Sequence, residues 1–171
     1  MDIPLTYAGL TPLARLDTLR NWERGTRSRI APTIAPMRDL LVRLGNPHLA
    51  FAVVHVTGTK GKGSVCALVE AALHDAGFRV GRYASPHVDS ICERVSLRRK
   101  PVPQDRLVEA IGRVLDVRDQ TSLAGTPGSD ATWFDVLTAA AFLLFARERL
   151  DWVVAEVGLG GRLDSTNVLE G

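Results

Sequence analysis

Lysine is scarce in this chain: of 21 basic residues among 171, only Lys60, Lys62 and Lys100 are lysine, and arginine serves everywhere else. Cysteine is scarcer still. Cys66 and Cys92 are too few for a disulfide framework and suggest no metal pair, which fits a reduced, cytoplasmic protein. No basic-then-apolar leader opens the sequence, and its longest apolar run, residues 139–146, falls far short of a bilayer span. No membrane partner is expected. Neither sign of charge dominates, and a net charge of +2 gives no basic surface for nucleic acid. What remains is a chain that is 46% hydrophobic and long enough to bury the core of one domain, expected to be a monomer.

Against that background, two of the three lysines fall in one short segment. Residues 51–64 read FAVVHVTGTKGKGS. A run of β-formers breaks into a glycine-punctuated turn that opens a helix over residues 62–76, the context in which a loop cradles phosphates. Gly58, Gly61 and Gly63 permit positive φ and close backbone approach, so successive N–H groups converge on an anion. The helix that follows aims its positive dipole end at the same place. Lys62 then falls where a phosphate-loop lysine reaches the β- and γ-phosphates, with Thr59, Lys60 and Ser64 completing the loop. Two departures from G-x-x-x-x-G-K-[ST] stand out. Val56 replaces the first glycine, and Gly63 rather than a hydroxyl follows Lys62, so Ser64 comes one place late for a magnesium contact.

The alternation of elements predicts an α/β fold with a doubly wound, mostly parallel sheet. Residues 1–10 read as a loose arm, 13–22 and 36–44 as helices, and 24–36 as a loop. Strands are expected over 51–56, 78–84 and 152–157, with an edge hairpin over 94–101. Helices are expected over 104–117 and 132–149, the second apolar nearly all round, with a loop at 119–130. Residues 1–46 form an N-terminal helical segment and 47–171 the phosphate-loop part. Glu156 closes the apolar strand at the edge where the phosphate loop opens. A nucleotide-bound magnesium needs a carboxylate there, although a solvated strand-end glutamate reads the same way.

The string TGTKGKGS resembles the ATP loop of the Mur-ligase superfamily, and its Gly-Lys-Gly-Ser ending is similar to the folate branch, folylpolyglutamate synthase and dihydrofolate synthase. Two later stretches agree in order and spacing: YASPHVDSICERVSL at 83–97 and EVGLGGRLDSTNV at 156–168. The resemblance covers the chain from about Leu16 onward but only the front of that family's ATPase domain. It implies ATP and Mg2+ as cofactors, with Lys62 catalytic and Ser85 supplying the metal hydroxyl beside Glu156. It also implies a substrate pocket of Thr132, Trp133, Phe134 and Asp135 with Leu163, Asp164 and Ser165. Trp133 and Phe134 either stack on a pterin ring or belong to the core. The family commonly has glutamate where this chain has Asp135. A pterin-contacting stretch would fall near residues 29–32, where its usual residues are not recognisable.

The chemistry implied is ATP-driven addition of L-glutamate to the carboxylate of a folate or dihydropteroate through an acyl phosphate. Full-length relatives are more than twice as long, so the chain reads as an N-terminal fragment. Other readings are a different Mur-type ligase, a small kinase and a non-catalytic nucleotide-binding remnant. A kinase would not need the GLGGRLDSTN string.

Overall fold

The computed structural model describes residues 9–24 and 33–169. Most of the expected N-terminal arm, most of the loop at 24–36, the stretch at 29–32 and the last two residues lie outside them. Ten regular elements are described: α1 (Pro12–Asp17), α2 (Ala35–Arg43), β1 (Ala52–Val56), α3 (Lys62–Asp75), β2 (Val80–Tyr83), β3 (Val95–Leu97), β4 (Lys100–Pro101), α4 (Gln104–Ala124), α5 (Trp133–Arg147) and β5 (Trp152–Glu156).

The strands form one sheet in the order β1-β5-β2-β3-β4. The first three are parallel, and β3 and β4 add antiparallel at the margin. The sheet is mostly parallel, as the alternation of strands and helices predicts. β5 lies between β1 and β2, so its carboxyl end meets the end of β1, where the phosphate loop begins, and the end of β2, where Ser85 follows.

Strand alternation assigns the faces. Val54, Val56, Val80, Trp152 and Val154 pack with Cys66, Val69 and Leu73 of α3. Val53, Tyr83, Val95, Val153 and Ala155 face the other way onto α5, whose Val136, Leu137, Ala140, Phe142 and Phe145 are all fully buried. The same core takes in Leu16 of α1, Met37, Leu40 and Leu41 of α2, and Leu107, Ile111 and Val114 of α4. Helices therefore cover both faces. Among the described residues, no helix is long and apolar enough to cross a membrane.

Two sequence expectations need correction. The helix expected over 104–117 runs on to Ala124, into the stretch expected to be loop. Its serine, threonine and glycine content conceals a buried anchor. Thr121 is 0% exposed and donates to the Arg118 carbonyl, while the Arg118 side chain donates to the carbonyls of Ser129 and Ala131. The helix stops only at Gly125, with φ 65°. The helix expected over 13–22 is shorter, ending at Asp17 before a 3-10 turn at Trp22–Arg24.

Gly81, in the middle of β2, shows how tightly α5 sits on the sheet. A Cβ there would stand 2.5 Å from Leu150 Cδ1 and 2.8 Å from the Phe145 ring. Gly81→Ala is expected to cost about 1–3 kcal/mol by overpacking. Urea unfolding with an unchanged midpoint would show that α5 yields easily.

Candidate functional site

β1 ends at Val56 and hands the chain to the turn of Thr57 to Gly61, all of it exposed. Gly58 has φ 148° and Gly61 φ 75°, the two glycine conformations that make the turn. α3 begins at Lys62 with no acidic residue in its first turn. Amide N–H groups at a helix start lack intrahelical partners and carry positive partial charge, so a lysine there repels its own helix end until an anion arrives. The Lys62 side chain folds back over Gly58, whose Cβ position lies 3.7 Å from Lys62 Cγ.

Glu156, 5% exposed, lies beside this helix start. Its Oε1 stands 3.9 Å from Lys62 Nζ, and its Oε2 accepts a hydrogen bond from the Ser85 N–H at 3.1 Å. The Cβ position of Gly63 lies 3.6 Å from the same carboxylate, so the acid rests in ordinary contact against the first turn of the helix. Lys62, Ser85 and Glu156, expected from three distant stretches, thus meet at one edge of the sheet. The fit to a cation follows from this donor set. Among the described residues no group of three or more His, Cys, Asp or Glu side chains is placed to hold a metal alone. One buried carboxylate beside a serine suits an ion that brings phosphate and water ligands with it, as magnesium does. Behind Glu156, burial and this carboxylate push the Cys66 thiol up to about 11, which makes it an inert packing group.

The segment after β2 is braced by residues that sequence reading did not single out. Ser90 and Glu93 form a capping box, and the Glu93 carboxylate accepts from the N–H groups of Val88, Asp89 and Ser90. Those bonds, led by that from Val88, hold its pKa below the ordinary glutamate value. Arg94, 2% exposed, pairs through both terminal nitrogens with Glu23 at 2.9 and 2.5 Å and donates from Nε to His87 Nδ1 at 2.7 Å. Its guanidinium also lies over the Trp133 ring, 4.9 Å from the centroid.

The expected substrate residues divide. Thr132, Asp135 and Ser165 form one network: Thr132 and Asp135 make the capping box of α5, and the Ser165 hydroxyl donates to Asp135 at 2.5 Å. Trp133 does not present its ring to a substrate. It is 2% exposed, carries Arg94 on its face and donates from Nε1 to Asp17. Phe134 packs on Tyr83 at 5.9 Å and lies under Gly158. Asp164 and Ser165 are buried, whereas Leu163 is 41% exposed, and with Leu159 and Val88 it puts aliphatic surface on the loops that follow β5 and β2.

His55, near the end of β1, bonds through Nε2 to Thr166 at 2.8 Å. Burial lowers its pKa from 6.5, outweighing the opposing pull of Asp164. The unfolded chain therefore takes up protons near pH 6.5 more readily than the folded one, and stability falls as pH drops below about 6.5. His55→Gln, which cannot titrate, is expected to lose less melting temperature between about pH 7 and 5 than the parent. Parallel melting curves across that range would remove His55 as the source.

A glycine–lysine loop between a parallel strand and a helix, with an acid at the end of the strand paired beside it, defines the nucleotide-binding front of a Mur-ligase-like ATPase domain. Relatives narrow this further. The chain is 37% identical over 156 residues to dihydrofolate synthase/folylpolyglutamate synthase of Bacillus subtilis, covering 88% of this chain and 35% of the relative. Folylpolyglutamate synthase from Thermotoga maritima superposes with a TM-score of 0.80 at 36% identity, over 92% of this chain and 35% of that one. The Mycobacterium tuberculosis folylpolyglutamate synthase, solved with ADP and AMPPCP, gives a TM-score of 0.74 at 38% identity, over 81% of this chain and 31% of its own. No protein-family model matches. The chain belongs to the folylpolyglutamate synthase/dihydrofolate synthase family and spans about a third of the length of the curated relatives it matches.

Proposed function

We propose that the chain forms the nucleotide-binding part of an ATP-dependent ligase that joins L-glutamate to the carboxylate of a folate or dihydropteroate. The convergence of Lys62, which opens α3 after β1, with Glu156 at the end of β5 and Ser85 just past the end of β2 carries this reading. In the reaction proposed, an oxygen of the substrate carboxylate bonds to the γ-phosphorus as ADP leaves. The glutamate amine then attacks the acyl carbon, phosphate departs, the amide forms and the amine proton is lost.

Lys62 neutralises charge on the transferring phosphoryl group, and the N–H groups opening α3 bind its oxygens without reorganising. Glu156 and Ser85 would hold magnesium, which when bound draws charge from the phosphate oxygens. Leu159, Leu163 and Val88 give the substrate side apolar surface against a flat ring system. A reduced, cytoplasmic setting suits the two buried free cysteines.

Isothermal titration of the chain with AMPPCP and magnesium, and separately with dihydropteroate, tests the reading. Saturable binding of both is expected. A chain that binds neither is not the nucleotide-binding part of a folate ligase.

A further inference from the structure

The hydrogen bonds around Thr166 fix more than its own position. Its hydroxyl stands 2.5 Å from Asp164 Oδ1 and 2.8 Å from His55 Nε2. A threonine hydroxyl has one hydrogen, and an ionised carboxylate can only accept. That hydrogen therefore goes to Asp164, whose Oδ1 also accepts from the Thr166 N–H at 3.0 Å. The hydroxyl oxygen is left to accept from His55, so His55 must carry its hydrogen on Nε2.

The other oxygen of Asp164 is equally committed. Its Oδ2 accepts from the Leu159 N–H at 2.8 Å. A line of hydrogen bonds thus runs from His55, in the strand leading into the phosphate loop, through Thr166 and Asp164 to the turn after β5. Thr166 is 0% and Asp164 6% exposed, so water cannot readily replace a lost link. The turn is also closely seated, since a Cβ on Gly158 would stand 2.6 Å from Phe134 Cζ and 3.0 Å from Asp164 Oδ2. A histidine serving only to fill the core would need some acceptor. This one faces an acceptor whose own hydrogen is already spent on a carboxylate that shapes a second loop.

We propose that His55 is a positioning residue: donating from Nε2 to Thr166, it holds Asp164 in the orientation that shapes the Gly158 to Gly161 turn on the substrate side of the nucleotide site. The importance of the turn to a folate-type substrate rests on the ligase reading; the link itself does not.

The test uses the full chain and two readouts. Its four histidines make nitrogen-15 spectra of the rings simple to assign. His55 is expected to show a protonated Nε2 and a bare Nδ1, and the Leu159 amide to exchange slowly. His55→Leu is expected to speed Leu159 exchange about tenfold, and His55→Gln, whose amide still donates, to return it to within about threefold. Dihydropteroate affinity is expected to fall about tenfold in His55→Leu and recover in His55→Gln, while AMPPCP affinity stays within about twofold. A hydrogen on Nδ1 instead of Nε2 overturns the proposal, and that measurement needs no variant to fold. So does Leu159 exchange that is the same in His55→Leu and the parent, or dihydropteroate affinity unchanged by His55→Leu in a chain that binds it. A parent chain binding neither probe counts against the ligase reading, while the ring spectra and amide exchange still decide the link.

Discussion

Lys62→Ala is expected to weaken binding of AMPPCP with magnesium by roughly 10- to 100-fold, the loss of a charge-assisted contact of about 1.5–3 kcal/mol. Lys62 is the first residue of α3, its side chain 20% exposed and turned back across Gly58 toward Glu156. An ammonium so placed opposes its own helix dipole, a conflict that a bound polyphosphate resolves. Lys60 differs by two residues and by its surroundings: it lies on the exposed turn, with no ion pair to Glu156 among the described contacts. Lys60→Ala should cost about threefold or less. Calorimetry giving equal affinities for the parent and Lys62→Ala would remove Lys62 from the phosphate site.

Glu156→Gln is expected to abolish the gain in nucleotide affinity that magnesium provides, leaving titrations with magnesium and with EDTA alike. The substitution keeps the side chain's shape and an acceptor for the Ser85 N–H, so its effect reports the lost charge and not a collapsed loop. The parent should bind AMPPCP at least about tenfold more tightly with the metal present. Glu156 is well placed for this role because it lies against the first turn of α3, 3.6 Å from the Cβ position of Gly63 and 3.9 Å from Lys62 Nζ. Full magnesium dependence in Glu156→Gln would assign the ion to other ligands.

Much of the fold was legible in local pattern. The apolar run of β5, the glycine–lysine turn after β1 and the all-round apolar α5 each carry their own signal, and their alternation implies the parallel sheet. The continuation of α4 to Ala124 was not legible, because its stability there comes from tertiary contacts of Thr121 and Arg118 rather than from helix-forming composition.

The site divides in the same way. Lys62 and Glu156 end or begin predicted elements, so topology alone placed them at one edge. Arg94 and His55 gave no such signal, since each matters through partners 71 and 111 residues away, Glu23 and Thr166. The nearest sequence clue to His55 is its parity: it shares a strand face with Val53 in a run of valines, a polar residue where the core continues. Trp133 left a stacking and a core reading both open. An aromatic at the start of a helix looks like a stacking platform until a buried guanidinium is found upon it.

The two margins of the sheet are built unlike each other. β4 ends one side with Lys100 and Pro101 after a turn of Arg98 and Arg99, whose positive φ values of 51° and 66° bend it sharply. Charge and proline there deter a further strand. β1 ends the other side; among the described residues it pairs with β5 alone, and its side chains are alanine, three valines and His55. Nothing on that strand discourages a neighbour. A sheet with one guarded margin and one receptive margin has a direction in which it can be extended. Among the described residues that direction runs outward from β1, the margin at which a further strand would meet neither charge nor proline.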